Sequence, residues 1–260
     1  MRNNYCIRDD YRPRLRPEYF DDTVTDGTGV IWQPDVYRRA REIADGLHAP
    51  TLVDVGSGTG EKLVDIAGTR RVIAWDLGSN FDRGVERHPE FLWRSYDAEV
   101  DEALPIAPQE LRGAVLICSD VIEHVPRPDR LLRALCEALA DGAAVVIVST
   151  PDRERTWGRD HLGPPPNPAH VREWTLPELV ALCKREGLTC GVSGWTRPHD
   201  KTYELTTIEL VFTVGEATLD ACGIARRRRV GTLRASSPVS HGARAKVRRT
   251  AQELRTRLHR

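Results

Sequence analysis

The feature that most constrains this chain is the run Leu52-Val53-Asp54-Val55-Gly56-Ser57-Gly58-Thr59-Gly60. Leu52, Val53 and Val55 are apolar and mostly β-branched, as suits a central strand of a parallel sheet buried on both faces. Three glycines at alternate positions let the backbone turn sharply and let a ligand approach it closely. Glu61-Lys62-Leu63-Val64-Asp65-Ile66 can then start a helix. Strand, glycine loop and helix together predict the nucleotide-binding corner of a doubly wound α/β sheet.

The spacing narrows the ligand. A dinucleotide loop reads G-x-G-x-x-G, whereas this one reads G-x-G-x-G with Glu61 where the last glycine would stand. A carboxylate there is a poor neighbour for a pyrophosphate at a helix N-terminus. Asp54, just before the loop, suits a ligand carrying an ammonium group. A second strand, Arg71-Val72-Ile73-Ala74-Trp75, ends in Asp76, 20 residues after Gly56. An acid at that place accepts bonds from ribose hydroxyls. An adenosine ligand with an amino-acid end and no phosphate is S-adenosylmethionine.

These residues carry a family resemblance that covers roughly residues 30 to 215. Val53 to Gly60 resembles motif I of the class I, Rossmann-like S-adenosylmethionine-dependent methyltransferases. Asp76 matches that family's acid at the end of the second strand, and Asp97, in Trp93-Arg94-Ser95-Tyr96-Asp97, its acid after the third, near the adenine. Ser119-Asp120-Val121-Ile122-Glu123-His124-Val125 matches the segment after the fourth strand, in the form common among small-molecule methyltransferases. The resemblance implies a Rossmann-like, seven-stranded, mostly parallel sheet with helices on both faces and a C-terminal antiparallel hairpin. It implies that Asp54, Gly56, Ser57, Gly58, Gly60, Asp76, Leu77, Asp97 and Ser119 bind the cofactor.

The remaining elements follow the same rhythm. Residues 1 to 30 show no period and read as an irregular arm over cofactor or substrate. Gln33-Pro34-Asp35 begins a helix with Val36, Tyr37, Ala40, Ile43, Ala44 and Leu47 on one face, ending at Gly46. Tyr37 reads as core or as part of a cover on the cofactor. Leu77-Gly78-Ser79-Asn80 reads as a loop against the adenosine, and residues 81 to 90 as at most briefly helical. Phe91-Leu92-Trp93, Gly113 to Cys118 and Ala143 to Ser149 read as strands three to five. Asp129 is placed to cap the helix that buries Leu131, Leu132, Leu135 and Leu139. Thr175-Leu176-Pro177-Glu178 is a capping box. Two strands, Thr189 to Trp195 and Thr207 to Val214, should close the sheet.

The rhythm breaks between residues 151 and 174. No regular element runs through Pro164-Pro165-Pro166-Asn167-Pro168. A long insert at the ligand edge of the sheet, with two tryptophans and two histidines, reads as a substrate lid. His161, His170 and Arg172 are its candidate substrate contacts. The pieces Asp160-His161-Leu162-Gly163-Pro164-Pro165 and His170-Val171-Arg172-Glu173-Trp174 resemble methyltransferases that act on sugars and glycans. Glu123 and His124 follow the fourth strand at that same edge and should face the substrate.

Methyl transfer from a sulfonium asks chiefly for placement of the acceptor in line with the methyl group. For an alcohol acceptor a base is also required, and His124, His161 and His170 are the candidates, His124 titrating in the right range. O-methylation of a small molecule, sugar or glycan is the expected reaction. A nucleic-acid methyltransferase and a cofactor-binding module without catalysis are the alternatives. Against the first, the fourth strand lacks the Pro-Pro-aromatic element of exocyclic base-amine methylases. Against the second, Asp54, the glycines and Asp76 are intact. No cluster of acids has convincing metal-ligand spacing, so no metal is assigned.

Charge divides the chain. Overall it is neutral, with 38 basic and 38 acidic residues among 260. Ala221 to Arg260 holds nearly all its charge as Arg or Lys, with Glu253 its one acid, so residues 1 to 220 are net acidic. The expected division is an arm at 1–30, a methyltransferase domain at 31–217 and a basic tail at 218–260. Arg226-Arg227-Arg228-Arg229, then Val247, Ala251, Leu254 and Leu258 among arginines, suit an anionic membrane surface, nucleic acid or a solubilising tail. The scattered cysteines form no C-x-x-C pair, and no apolar run reaches transmembrane length. Without a signal-peptide pattern, the expected compartment is the cytoplasm.

Overall fold

The computed structural model describes residues 4–18 and 29–215. The basic tail at 218–260 and its amphipathic stretch lie outside the described residues. Alternating strands and helices build a seven-stranded sheet. Its strands are β1 (Thr51–Val55), β2 (Arg71–Asp76), β3 (Leu92–Ser95), β4 (Val115–Ser119), β5 (Val145–Pro151), β6 (Cys190–Thr196) and β7 (Thr207–Thr213). Their order across the sheet is β3-β2-β1-β4-β5-β7-β6. The first five run parallel, whereas β7 is antiparallel to both β5 and β6. β1 lies inside the sheet between β2 and β4, with Leu52 beside Val72 and Val115, and all five of its residues are buried.

Alternation along the strands supplies two cores. Leu52, Val72, Val115 and Ile117 pack against Val36, Ala40, Ile43 and Leu63 of helices α1 (Pro34–Gly46) and α2 (Glu61–Ala67). Val53, Ile73, Leu116 and Val146 pack on the other face, in one cluster with Leu131, Leu132 and Leu135 of α5 (Pro128–Ala140) and Leu179 and Leu182 of α7 (Leu176–Arg185). Helices thus cover both faces, as a parallel sheet requires. Thr175 N donates to Glu178 at 2.8 Å and starts α7 as the capping box predicts.

Three local expectations are corrected. Residues 78–87 form a ten-residue helix, α3 (Gly78–Arg87), rather than a loop and a brief turn. Its polar sequence hides a packed face: a Cβ at Gly84 would stand 2.1 Å from the ring of Trp93, so the missing side chain seats α3 on β3. Asp129 does not cap α5. Arg127 is the capping position, and Asp129 pairs with Arg127 and Arg133 from the first turn. The third strand starts at Leu92, with Phe91 buried just before it. The chain between β4 and β5 passes through the four-residue helix α4 (Pro108–Leu111) and then α5, and a five-residue helix, α6 (Arg153–Trp157), follows β5.

The proline-rich segment is a packed wall. Ala169, Val171 and Trp174 are buried, and Val171 N donates to Glu123 O at 2.8 Å. The described part of the N-terminal arm lies on the segment's other side. Arg12 N bonds Leu162 O and Arg14 N bonds Val171 O, while Trp174 Nε1 donates to Tyr5 O at 3.1 Å. Among the described residues, no helix is long and apolar enough to cross a membrane.

Candidate active site

The loops after β1 and β2 form one half of the site. Asp54 is fully buried in β1. Tyr37 Oη donates to its Oδ2 at 2.8 Å, while Oδ1 has no hydrogen-bond partner. Burial pushes the carboxyl up to about 7, against the opposing pull of Lys62 and the Tyr37 bond. A ligand ammonium group would supply the missing donor and restore the charge. Tyr37 is therefore core, and it also orients Asp54. Gly56 has φ +72°, and a Cβ there would stand 2.4 Å from Val121 Cγ2. Only glycine fits this position, where the loop touches the segment after β4.

At the end of β2, Asp76 Oδ2 accepts from Gly58 N at 2.7 Å, and Oδ1 from Leu77 N at 2.8 Å and Asn80 Nδ2 at 3.2 Å. These donors set the rotamer of an acid facing the glycine loop. Ser57 Oγ bonds Trp75 O at 3.3 Å, and buried Ser119 accepts from Ser149 Oγ at 2.8 Å. Leu77 and Gly60 stand at the starts of α3 and α2. Asp97 follows β3 as expected, yet its Oδ1 accepts from Glu99 N at 2.9 Å, so it also closes the turn at 97–101. The orphaned oxygen of Asp54 and the glycine cradle fit S-adenosylmethionine.

The loops after β4 and β5 form the other half. Glu123 is fully buried: Thr150 Oγ1 donates to its Oε2 at 2.9 Å, and Oε1 has no partner. Burial, and next Asp120, hold this carboxyl well above the usual range. Gln33 Nε2 donates to both carboxylate oxygens of Asp120, at 2.9 and 2.8 Å, and lies 3.2 Å from Thr207 Oγ1; Gln33 and Asp120 each have a left-handed backbone. His124 Nδ1 lies 2.9 Å from Ala169 O, and its ring stands edge-on to His170 with centroids 4.9 Å apart. His170 Nδ1 lies 2.6 Å from Glu173 Oε1, and Trp157 Nε1 donates to Glu173 Oε2 at 2.5 Å. One donor atom each from Glu123, His124 and His170 falls within 4.8 Å of the others.

His124 is not a base poised at neutral pH. Burial, and then His170 beside it, push its imidazole down to about 3. His161 stands apart from this group, beside Trp157 at 6.2 Å. Arg172 lies over the Tyr5 ring at 4.3 Å and donates to Pro126 O at 3.3 Å, so it fastens the arm rather than reaching for substrate. His199 and Asp200 tie the loop between β6 and β7 to the start of α1, through a bridge with Trp32 and a bond from Ile31 N. The sequence does not mark Gln33, Thr150 and Glu173 as site residues: Gln33 reads only as a helix start, and Glu173 only as part of the His170–Trp174 piece.

A seven-stranded sheet of this order, with a glycine loop after β1 and acids at the ends of its neighbours, defines the class I methyltransferases. A family model described as a methyltransferase domain matches residues 32–191, and the chain belongs to that family. It is an S-adenosylmethionine-dependent methyltransferase.

Solved structures share the fold. The methyltransferase domain of bacterial CtHen1 is 20% identical over 70% of this chain and all of that one, with a TM-score of 0.52. NcsB1, an O-methyltransferase from neocarzinostatin biosynthesis in complex with S-adenosylmethionine and 2-hydroxy-5-methyl naphthoic acid, is 19% identical, with a TM-score of 0.50. That match covers 67% of this chain and 52% of NcsB1. OxaC, in complex with S-adenosylhomocysteine and oxaline, is 15% identical, with a TM-score of 0.51 over 71% of this chain and 48% of that one. No curated protein matches the chain in sequence.

Proposed function

We propose that this methyltransferase methylates a hydroxyl group of a small polar acceptor, a sugar being the foremost candidate. The observation that carries the reading is the Glu123–His124–His170 group at the carboxyl end of β4, where Glu123 stands two residues beyond the Val121–Gly56 contact. Ligands of open α/β sheets bind at that edge. The group is set in a wall of aromatic and hydrogen-bonding side chains, among them Trp157 and Asn167. Such a wall suits a hydroxylated ligand better than a polyanion. NcsB1 and OxaC, of the same fold, are complexed with small molecules.

In this reading the chain's task is placement. S-adenosylmethionine supplies a methyl group already activated on sulfur. Asp54 holds its ammonium end, Asp76 its ribose, and the Gly56–Gly60 backbone lets it lie close to β1. Asp97 lies near the adenine. The 160–174 wall excludes water and sets the acceptor's angle of approach, and the Glu123–His124–His170 group receives the hydroxyl.

The test is transfer of labelled methyl from S-adenosylmethionine to parallel panels of sugars, phenols, amines and short RNA. Label on a sugar or phenol oxygen is the expected result. Label confined to amines or RNA would refute the proposal.

A further inference from the structure

We infer that Glu123, His124 and His170 form a binding site for a divalent first-row transition ion that holds the acceptor, an inference that rests on the hydroxyl-acceptor reading above. Their donor atoms already lie within 4.8 Å of one another. Donors about 2.1 Å from a common ion stand at most about 4.2 Å apart. The spread of up to 4.8 Å is wider than that, so binding an ion draws the three side chains together.

Three features set this group apart from a chance cluster. Glu123 is 0% exposed, yet its Oε1 meets no donor while Thr150 holds Oε2. A buried carboxylate oxygen without a partner is costly, and a cation removes that cost. Both imidazoles also present Nδ1 to an acceptor: Ala169 O at 2.9 Å for His124, and Glu173 Oε1 at 2.6 Å for His170. That places the proton on Nδ1 and makes Nε2 the lone-pair nitrogen. Histidine ligands of metals are oriented in this way by outer carbonyls and carboxylates. Finally, Asn167 Nδ2 stands 2.9 Å from His170 Nε2, donating to the lone pair that an ion would take.

The donor set chooses among ions. Two imidazoles and one carboxylate suit manganese, iron, cobalt or zinc better than magnesium or calcium, which prefer oxygen. Three protein ligands leave positions open, the pattern of a catalytic rather than a structural site. Adjacent hydroxyls of a sugar could fill them, and coordination makes a hydroxyl easier to deprotonate. This removes the need for a side-chain base at neutral pH. In the transfer, the acceptor oxygen bonds to the methyl carbon as the carbon–sulfur bond breaks. The electron pair leaves on sulfur, and the hydroxyl proton passes to solvent.

The experiment is calorimetric titration of chelator-stripped full-length protein with Mn²⁺ and with Zn²⁺. One ion per chain is expected. Glu123→Gln and His170→Gln should weaken binding by at least about tenfold, and Glu173→Gln, an outer change, by about 10- to 100-fold. Circular dichroism and S-adenosylhomocysteine binding report whether the variants fold. Where one does not, electron-spin-echo spectra of Mn²⁺ on the unaltered protein should show imidazole nitrogen. No binding, equal binding by folded variants, or no nitrogen signal overturns the site. Labelled transfer to a hydroxyl that is undiminished by chelation also overturns it but leaves the acceptor reading intact. Ion binding that the variants abolish, with no hydroxyl acceptor methylated, sinks the acceptor reading alone.

Discussion

Along the carboxyl edge of the sheet, the loop after β1 meets the segment after β4 where Gly56 lies against Val121. The two sides are assembled by different means. The cofactor side draws Asp54, the glycines and Asp76 from one strand-loop-helix-strand unit. Its bonds are local: Gly58 to Asp76, Ser57 to Trp75, Leu77 to Asp76. The proposed acceptor side joins Glu123 and His124 to a wall some 45 positions later, and holds that wall with an arm from the start of the chain. A site built locally tolerates distant change, whereas one built across the chain feels it.

Substitutions can break or sharpen this contrast. The largest effect is expected from Gly56→Val, which strikes where the sides meet. Left-handed backbone strain alone costs roughly 1–3 kcal/mol, and the clash with Val121 adds to it. Calorimetry should show S-adenosylmethionine affinity reduced at least about 100-fold, at about 1.4 kcal/mol per tenfold. Near-normal affinity would show that the contact does not shape the cofactor pocket.

Next is Asp76→Ala, which removes hydrogen bonds to a charged group worth about 1.5–3 kcal/mol. S-adenosylhomocysteine affinity should fall about 10- to 100-fold, while the stability of the 160–174 wall, followed by hydrogen exchange, stays unchanged. Loosening of that wall would show the sides to be coupled beyond the Gly56 contact.

Asp54 sharpens the contrast through pH. Burial raises its carboxyl from 3.8 to about 7, so the fold binds its proton more tightly than the unfolded chain does. That contribution to stability is whole below the usual carboxyl range and is lost as pH rises through about 7. The thermal midpoint of the unaltered protein, relative to Asp54→Asn, should therefore decline across that window. Cofactor affinity should move the other way, rising about tenfold from about pH 6 to 8 as the carboxylate forms. Affinity independent of pH would remove Asp54 from the ammonium end.

The smallest effect is expected from Tyr11→Phe. Glu173 N donates to Tyr11 Oη at 3.0 Å, a bond worth about 0.5–1.5 kcal/mol. The acceptor's KM should rise about two- to tenfold with cofactor affinity unchanged. A matching loss of cofactor affinity would erase the distinction between the sides.

The difference in assembly also explains what could be read beforehand. β1, its glycine loop and Asp76 are written in contiguous residues, so period and spacing expose them. The capping box at Thr175 and the ends of α1 are local for the same reason. α3 was obscured because its packed face is a glycine, Gly84, whose partner Trp93 lies on the next strand. Asp129 looked like a cap because arginines that claim its carboxylate cannot be paired by spacing alone. His124 carried the right chemistry for a base. Its burial beside His170, which lowers its affinity for a proton, depends on a wall whose path through Pro164–Pro168 no period describes.

The sequence by itself determined the parallel sheet, the kind of nucleotide and the edge at which chemistry occurs, because strand hydrophobicity and glycine conformation act within a few residues. Only the tertiary structure decided which side chains share that edge. It packed the supposed lid between the segment after β4 and the N-terminal arm, laid Arg172 over Tyr5, and drew His170 onto Glu123 and His124. Those outcomes rest on burial and on hydrogen bonds between residues far apart in the chain, where desolvation sets both geometry and charge.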